Sequence, residues 1–494
     1  TTRLRHRRLS RMRRRDFLHV SSAAAALASV RVSGQTPAAP PDARLDDIVA
    51  FVTARMAEYR VPGVGLGIFS DGQMRVRGFG VTSLDDPQPI TDDTLFTIAS
   101  ISKTVTATAV MRLVESGRID LRAPVRSYLP GFRVLDDEAS RTVSLWHCLT
   151  HTPGWEGQLT TEDRGAGALA HFASSIMPTL PQLARPGEVW SYNNAGFALT
   201  GRLLEVVTGR SIHDALRELV LAPLGLRRTF TRLTDAMTYR HSLGHRDRDG
   251  RVEVIRPFQT TSSTTAGGVI TSVADLLTYA RLHLGDGRAP GGAPFLSRAM
   301  LDLMQTAQVR KHGTSDEMGI GWHLRTVDGV ATMAHGGTLN GHCLLLQLVP
   351  SRNLAFTVLT NHQDGWRLVQ DVEHAILQRY AGVSLASGQA IGHRGVNEAM
   401  TFHAQPTAVQ PALEEYEGTY ARPPVGTVEV RRRGDRLVVV TGANQPDARL
   451  AFHGPDIAYA LDGSYLGMPH EFVRGADGAV RWIRVNGRIA RKIV

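Results

Sequence analysis

The chain has 494 residues, 42% hydrophobic and 21% charged, with a formal net charge of +10 at neutral pH. The length accommodates about two or three domains, and the apolar share excludes a wholly disordered or fibrous protein. The raw charge suggests a nucleic-acid or anionic-membrane partner. Its placement argues against one, because residues 1–34 hold nine arginines against the single acid Asp16, a net +8 that leaves +2 for the rest.

The N-terminal segment reads Arg13-Arg14-Arg15-Asp16-Phe17-Leu18-His19 ahead of a weakly apolar run over 20–30. It resembles a twin-arginine export signal, which implies delivery to the periplasm or outside and cleavage near Gly34. The run is far short of the ~20 residues that span a bilayer as a helix, so no membrane insertion of the mature chain is expected. Only three residues are lysine, Lys103, Lys311 and Lys492, so each is worth inspection in a chain so rich in arginine. Cys148 and Cys343 are the only cysteines. Whether they pair stays open, with two separate buried thiols the expectation.

After a linker at 35–45, helical spacing covers 45–59. Strands follow over 63–69 and 73–80 around the Ser70-Asp71-Gly72 turn. Helices are predicted over 101–116, 196–208 and 272–284. Strands follow over 331–334, 343–348 and 354–359, then a helix over 371–380. Strands at both ends with helices between predict one α/β domain over residues 46–385, its sheet assembled from distant parts of the chain. Asp247-Arg248-Asp249-Gly250 lacks the later glutamate of a calcium loop and reads as a hairpin tip. Residues 386–412 read as a linker. Residues 413–494 read as a small all-β, barrel-like domain, with strands over 428–430, 437–440, 472–474, 480–485 and 488–494. Its turns are Arg433-Gly434-Asp435, Asp477-Gly478 and Asn486-Gly487. The first is also the adhesion tripeptide, but it stands where a hairpin needs its turn.

Three segments bear chemistry. Ser100 and Lys103 stand three apart at a helix start, so the amine approaches the hydroxyl. A serine hydroxyl is a weak nucleophile without a base beside it, and a partly buried lysine of lowered pKa supplies one. The bland alternative is a helix cap followed by a surface lysine. In Trp190-Ser191-Tyr192-Asn193-Asn194, a tyrosine hydroxyl relays protons and an asparagine amide holds a substrate; the alternative is a loop capping the helix that follows. In His335-Gly336-Gly337-Thr338, paired glycines between predicted strands admit a close backbone. The Thr338 N–H would then join that of Ser100 as an oxyanion hole; the alternative is a glycine-rich bend with His335 merely packed.

Together and in this order, the three segments resemble the serine β-lactamase and penicillin-binding-protein superfamily, closest to its class C-like branch. Leu149-Thr150-His151-Thr152-Pro153-Gly154-Trp155, Pro223-Leu224-Gly225-Leu226, Ala266-Gly267-Gly268-Val269 and Gly319-Ile320-Gly321-Trp322 are similar to that branch's surroundings of the site. The resemblance implies an α/β sandwich of five or more antiparallel strands flanked by helices, with a helical insertion. It also implies an appended β-barrel-like domain from Leu413 onward. Ser100 would be the acylated nucleophile, Lys103 its base and Tyr192 the proton shuttle. Asn194, His335, Gly336, Gly337 and Thr338 would bind substrate and oxyanion. Ser191-Tyr192-Asn193 also fits a Ser-x-Asn pattern, while Pro186-Gly187 and Gly201 favour the Tyr-x-Asn register.

The middle residue of the strand motif usually bears a hydroxyl, and the first is usually lysine. Gly336 and a neutral His335 offer neither. The reading is therefore an exported serine hydrolase for a small-molecule or short-peptide ester or amide, either an esterase or a D-amino-acid or D-Ala-D-Ala peptidase. A true class C-like β-lactamase and a non-catalytic binder of penicillin or peptidoglycan fragments are the alternatives. No metal, cofactor or nucleic acid is expected, and the oligomeric state stays open.

Overall fold

The computed structural model describes residues 42–158, 165–311, 316–383, 412–440, 447–463 and 466–494. The arginine-rich leader and nearly all of the 386–412 linker lie outside them. Helix α1 (Ala43–Tyr59) is capped by the Asp42 carboxylate and buries Leu45, Ile48 and Val52, the spacing of one helix face. Strands β1 (Gly63–Ser70) and β2 (Gln73–Gly80) pair around Asp71 and Gly72, whose φ values of 53° and 71° suit a tight hairpin turn.

In β1 the order Gly63-Val64-Gly65-Leu66-Gly67-Ile68 separates bulky residues from glycines, because alternate side chains point to opposite faces. Val64, Leu66 and Ile68 share a core with Leu45, Ile48 and Val52. The glycine face admits a helix. Downstream come α2 (Ser102–Glu115), α3 (Asn194–Thr208) and α4 (Val273–Leu284). A Cβ on Gly67 would lie 2.6 Å from Val273 and 2.8 Å from Leu277, both on α4.

The sheet is completed from late in the chain by β3 (Val309–Arg310), β4 (Glu317–Met318), β5 (His323–Val327), β6 (Val330–Leu339), β7 (His342–Val349) and β8 (Leu354–Thr360). The order is β2-β1-β8-β7-β6-β5-β4-β3, and every pair is antiparallel. Strands β1, β7 and β8 are buried along their whole length. Helix α5 (Trp366–Ile376) joins α1 on one face through Leu368, Val369, Val372 and Ile376. Residues of α2, α3 and α4 pack in the core of the other face.

Three expectations change. The strand expected at 331–334 runs from Val330 to Leu339, so His335 to Thr338 lie within it rather than between strands. The helix expected at 371–380 begins at Trp366, because the apolar face formed by Trp366, Leu368 and Val369 extends it backward. The C-terminal region is a closed barrel of eight strands, against the five strands expected. These are β9 (Gly418–Arg422), β10 (Gly426–Arg433), β11 (Arg436–Val440), β12 (Ala448–Gly454), β13 (Ile457–Ala460), β14 (Pro469–Arg474), β15 (Val480–Val485) and β16 (Arg488–Lys492). Strands β9, β12 and β13 are the additions; β9 closes the ring on β16, while β12 and β13 pair with each other and with β11 and β14. Arg433-Gly434-Asp435 is the β10–β11 turn, and Asp249-Gly250 forms the tip of a hairpin between Gly244–Arg248 and Arg251–Ile255. Cys148 and Cys343 are both buried and form no disulfide with each other. Among the described residues no helix is long and apolar enough to cross a membrane.

The sheet–helix contact at Gly67 yields a test. Gly67→Val is expected to cost about 1–3 kcal/mol by overpacking against α4, read as a lower urea midpoint at unchanged m-value.

Candidate active site

Ser100 sits in a 3₁₀ turn, Ala99–Ile101, directly before α2. Ala99 is held at φ 47°, a left-handed conformation that costs an L-residue about 1 kcal/mol and so needs support from around it. Strand β6 provides it. A Cβ on Gly337 would lie 2.6 Å from the Ile98 carbonyl oxygen and 3.2 Å from the Ser100 nitrogen. The glycine therefore lets the strand run against the backbone of the serine turn. Pairing of β6 with β5 ends at His323↔Ala334, while pairing with β7 continues to Leu339↔His342. From His335 onward, β6 offers an open edge beside Ser100.

Every residue of α2 from Ser102 to Met111 is buried, and Lys103 is fully so. Its Nζ lies 3.2 Å from Ser100 Oγ and 2.6 Å from the Ala266 carbonyl, which gives the Ala266-Gly267-Gly268-Val269 segment a role. Nζ also stands 4.8 Å from the centre of the Tyr192 ring. Burial drives the Lys103 pKa well below its ordinary 10.5, and the positive charge of Arg488 adds to the effect. The amine donates to the Ala266 carbonyl and stands within hydrogen-bond reach of the serine hydroxyl.

Tyr192 is 3% exposed, and its phenol is pushed up to about 12 by burial, partly offset by a hydrogen bond with Ser100. Its N–H donates to the Gly487 carbonyl in the β15–β16 turn of the barrel at 2.8 Å. His151 stacks on its ring at 4.5 Å between centroids. The next N–H, that of Asn193, donates to His151 Nδ1 at 2.9 Å. Burial keeps His151 neutral, its pKa well below 6.5.

The two asparagines divide the work. Asn193 caps α3 by accepting from the Gly196 N–H at 2.8 Å, and its amide donates to the Trp155 carbonyl at 2.9 Å. Asn194 is half-buried, and among the described residues its side-chain amide makes no hydrogen bond. His335 is 1% exposed. Its Nδ1–H donates to the Gly336 carbonyl at 2.7 Å, which leaves the Nε2 lone pair buried without a hydrogen bond. Burial lowers its pKa to about 3, so the ring is neutral. The Thr338 hydroxyl accepts from Trp366 Nε1 at 2.8 Å, anchoring the strand to α5.

All eight residues singled out in the sequence thus fall on the serine turn, the following helix, the tyrosine loop, the first residue of α3 and β6. Four neighbours were not assigned a role from sequence. His151 lay in a segment cited only as surroundings. Lys311, distinctive as one of three lysines, places Nζ 2.8 Å from His323 Nδ1, and the His323 ring stands 4.9 Å from that of His335. Arg488 gave no signal, because arginine is everywhere in this chain. Elsewhere, Asp247, His362 and Asp364 place ligand-type atoms within 4.8 Å of one another. The Asp364 N–H donates to His362 Nδ1 at 3.3 Å, leaving the ring proton on Nε2, which faces Asp247 at 3.7 Å. That arrangement suits a histidine–aspartate pair rather than a metal ligand set.

Residues 48–381 match the Beta-lactamase family model. Penicillin-binding protein 4 of Amycolatopsis lactamdurans is 34% identical over 340 residues, 67% of this chain and 89% of that protein. The crystal structure of SurE matches with a TM-score of 0.74 at 27% identity, covering 91% of this chain and 99% of that one. SurE with D-Leu matches at 0.73 and 25%, covering 91% and 100%. A class C beta-lactamase matches at 0.59 with 20% identity over 68% of this chain and 96% of that one, a likeness of fold.

The buried amine has a thermodynamic signature. Its folded pKa is depressed and its unfolded pKa is near 10.5, so between those values the unfolded state binds the extra proton and stability rises with pH. Lys103→Met should remove that contribution. Urea midpoints at pH 7 and pH 9.5 are expected to differ less in Lys103→Met than in the wild type.

Proposed function

The chain is a member of the serine β-lactamase and penicillin-binding-protein superfamily, and on that premise we propose that it is an exported hydrolase that forms an acyl-enzyme on Ser100. The proposed substrates are esters or amides built on D-amino acids. One observation carries the reading: a fully buried lysine, 3.2 Å from a serine hydroxyl, with a carbonyl as its other polar partner.

The opposite pKa shifts divide the labour. Burial lowers the Lys103 pKa and so favours the neutral amine that can accept a proton, whereas Tyr192, pushed up to about 12, keeps its own at neutral pH and can give one. Ser100 Oγ attacks the carbonyl carbon and its proton passes to Lys103 Nζ. The oxyanion is held by the N–H groups of Ser100 and Thr338. As the tetrahedral intermediate collapses, the bond to the leaving group breaks and the leaving group takes a proton from Tyr192, which Lys103 replenishes. Water then attacks the acyl-enzyme in the same geometry and restores Ser100. Asn194 and the open edge of β6 hold the acyl part.

Support for a D-configured substrate comes from the penicillin-binding-protein relative and from the D-Leu held by SurE. The neutral His335 and the bare Gly336 disfavour a true β-lactamase, since neither holds a fixed charge or a hydroxyl for the β-lactam carboxylate. A fluorophosphonate probe is expected to add one equivalent to the wild type by intact mass and none to Ser100→Ala. Lys103→Ala should label about 10²–10⁴-fold more slowly. A folded wild type that stays unlabelled and turns over no nitrophenyl ester would leave only the non-catalytic binding reading. Export is read from Arg14-Arg15-Asp16-Phe17-Leu18; Arg14→Lys with Arg15→Lys is expected to retain the precursor inside the cell on fractionation.

A further inference from the structure

Tyr192 is suspended between two anchors, and both belong to His151. The Ser191 N–H donates to the His151 carbonyl at 2.9 Å, and the Asn193 N–H donates to His151 Nδ1 at 2.9 Å. Between these bonds the imidazole lies against the Tyr192 ring, with 4.5 Å between centroids and 32° between planes. One residue thus holds the chain on each side of the tyrosine and covers its ring. The N–H of Tyr192 itself donates to the Gly487 carbonyl at 2.8 Å, so three successive backbone donors are fixed.

His151 follows the short helix Leu145–Leu149 and stands at φ 59°. A left-handed backbone is uncommon for a residue with a side chain, and it persists where the surroundings impose it. In this conformation the carbonyl and the ring of one residue serve the same loop. Because Nδ1 accepts from Asn193, the ring proton is on Nε2, which is buried without a hydrogen bond. A buried donor without an acceptor is costly, and a phenylalanine would fill the place without that cost. What the imidazole adds is the acceptor at Nδ1. A second ring proton would displace the Asn193 N–H, so the ring that stacks on Tyr192 is a neutral one. The other polar groups around the phenol are the Ser100 hydroxyl, the Lys103 amine at 4.8 Å from the ring centre and His335, 6.5 Å away between centroids. From the barrel comes Arg488, its Cζ 5.8 Å from the ring centre and its Nε and Nη1 buried with no hydrogen bond among the described residues.

We propose that His151 is the positioning residue of the proton shuttle, clamping the backbone on both sides of Tyr192 and stacking on its ring so that the phenol stays aimed at Ser100 while the leaving group departs. The proposal rests on the acyl-enzyme reading of Ser100 and deepens it. As the bond from the acyl carbon to the leaving atom breaks, the electron pair goes to that atom and the Tyr192 proton follows. His151 makes and breaks no bond in this step. Its effect is therefore largest for leaving groups that are strong bases and smallest for those that depart as stable anions.

The test compares two esters of N-acetyl-D-alanine on the full chain. The p-nitrophenyl group leaves without a proton, whereas the methoxy group needs one. In His151→Asn, asparagine tolerates the left-handed backbone but supplies no ring. The ratio of kcat/KM for the methyl ester to that for the nitrophenyl ester is expected to fall about 10–100-fold below the wild-type ratio, the effect of a misplaced general acid. A histidine that only packed would slow both esters alike and leave the ratio unchanged. His151→Phe keeps a ring against Tyr192 without the acceptor, and its ratio should fall between the two. A second readout needs no turnover: isotope-labelled tyrosine Cζ, with the Tyr192 signal identified by its loss in Tyr192→Phe, follows ionisation of the phenol by NMR. Burial pushes that phenol up to about 12 in the wild type; in His151→Asn, with the ring open to water, it is expected closer to the ordinary value of about 10. A ratio unchanged in both variants, or a Tyr192 titration unmoved by His151→Asn, overturns the role. Should His151→Asn fail to fold, the ratio in His151→Phe decides alone. Fluorophosphonate labelling of the wild type reports separately on the acyl-enzyme, and the titration reports on His151 without it, so the two readings fail independently.

Discussion

An amine enclosed in apolar and aromatic surroundings, with a serine hydroxyl and a carbonyl as its polar company, is the constraint to which the rest of the site answers. A lysine in such a place is stable only if it gives up its charge. That requires no nearby acid to hold the proton on, and the charged group acting on Lys103 is in fact positive, Arg488. The same desolvation keeps His151 and His335 neutral. It also keeps the Tyr192 phenol protonated. Burial therefore biases every acid–base group of the chamber toward its uncharged form, the state from which proton transfer starts. Such pre-organisation costs folding energy, and the fold offsets it with extensive apolar burial on both faces of the sheet.

Geometry follows from the same demand for close packing. The serine turn holds Ala99 in a left-handed conformation, and the glycine of β6 leaves room for that turn. Had residue 337 borne a side chain, strand and turn would have separated, and the open edge of β6 would have moved away from Ser100. The glycines of β1 act likewise on the opposite end of the sheet, where they bring α4 against the strand. In both places an absent side chain sets the distance between two elements, and the contacts of the larger residues follow from it.

Much of this was legible in the sequence, and the exceptions have physical causes. Ser100, Lys103 and Tyr192 were recognisable because their chemistry depends on local spacing and because lysine is rare in this chain. The choice between Asn193 and Asn194 could not be made from spacing alone. It turns on which amide the helix cap consumes, and that depends on where α3 begins. His335 to Thr338 were placed between strands, with a glycine-rich bend as the alternative, because two adjacent glycines weaken a strand; here the neighbouring strand β7 continues the ladder past them. Strand β9 escaped notice because ring closure onto β16 supplies a partner that no local pattern announces, and β12 and β13 are short strands paired with their neighbours. Arg488 was hidden for a statistical reason. Among so many arginines the residue type says nothing, and only its burial and missing partners distinguish it.

The barrel is the part whose purpose sequence left most open, and its contacts argue against a passive appendage. Trp190 and Tyr192 are 5% and 3% exposed, and the barrel bonds the backbone of this loop through Gly487 and Arg484. Leu183 and Val189 share a small core with Val473, Trp482 and Ile489 of the barrel. The burial that raises the phenol's pKa is therefore shared between two structural parts, and so is the positive potential that depresses that of Lys103. A barrel that loosened would admit water to Tyr192, relax both shifts and withdraw Arg488 at once. The chemistry would then be lost, which ties the catalytic sheet to the integrity of a domain that contributes no nucleophile, base or oxyanion donor.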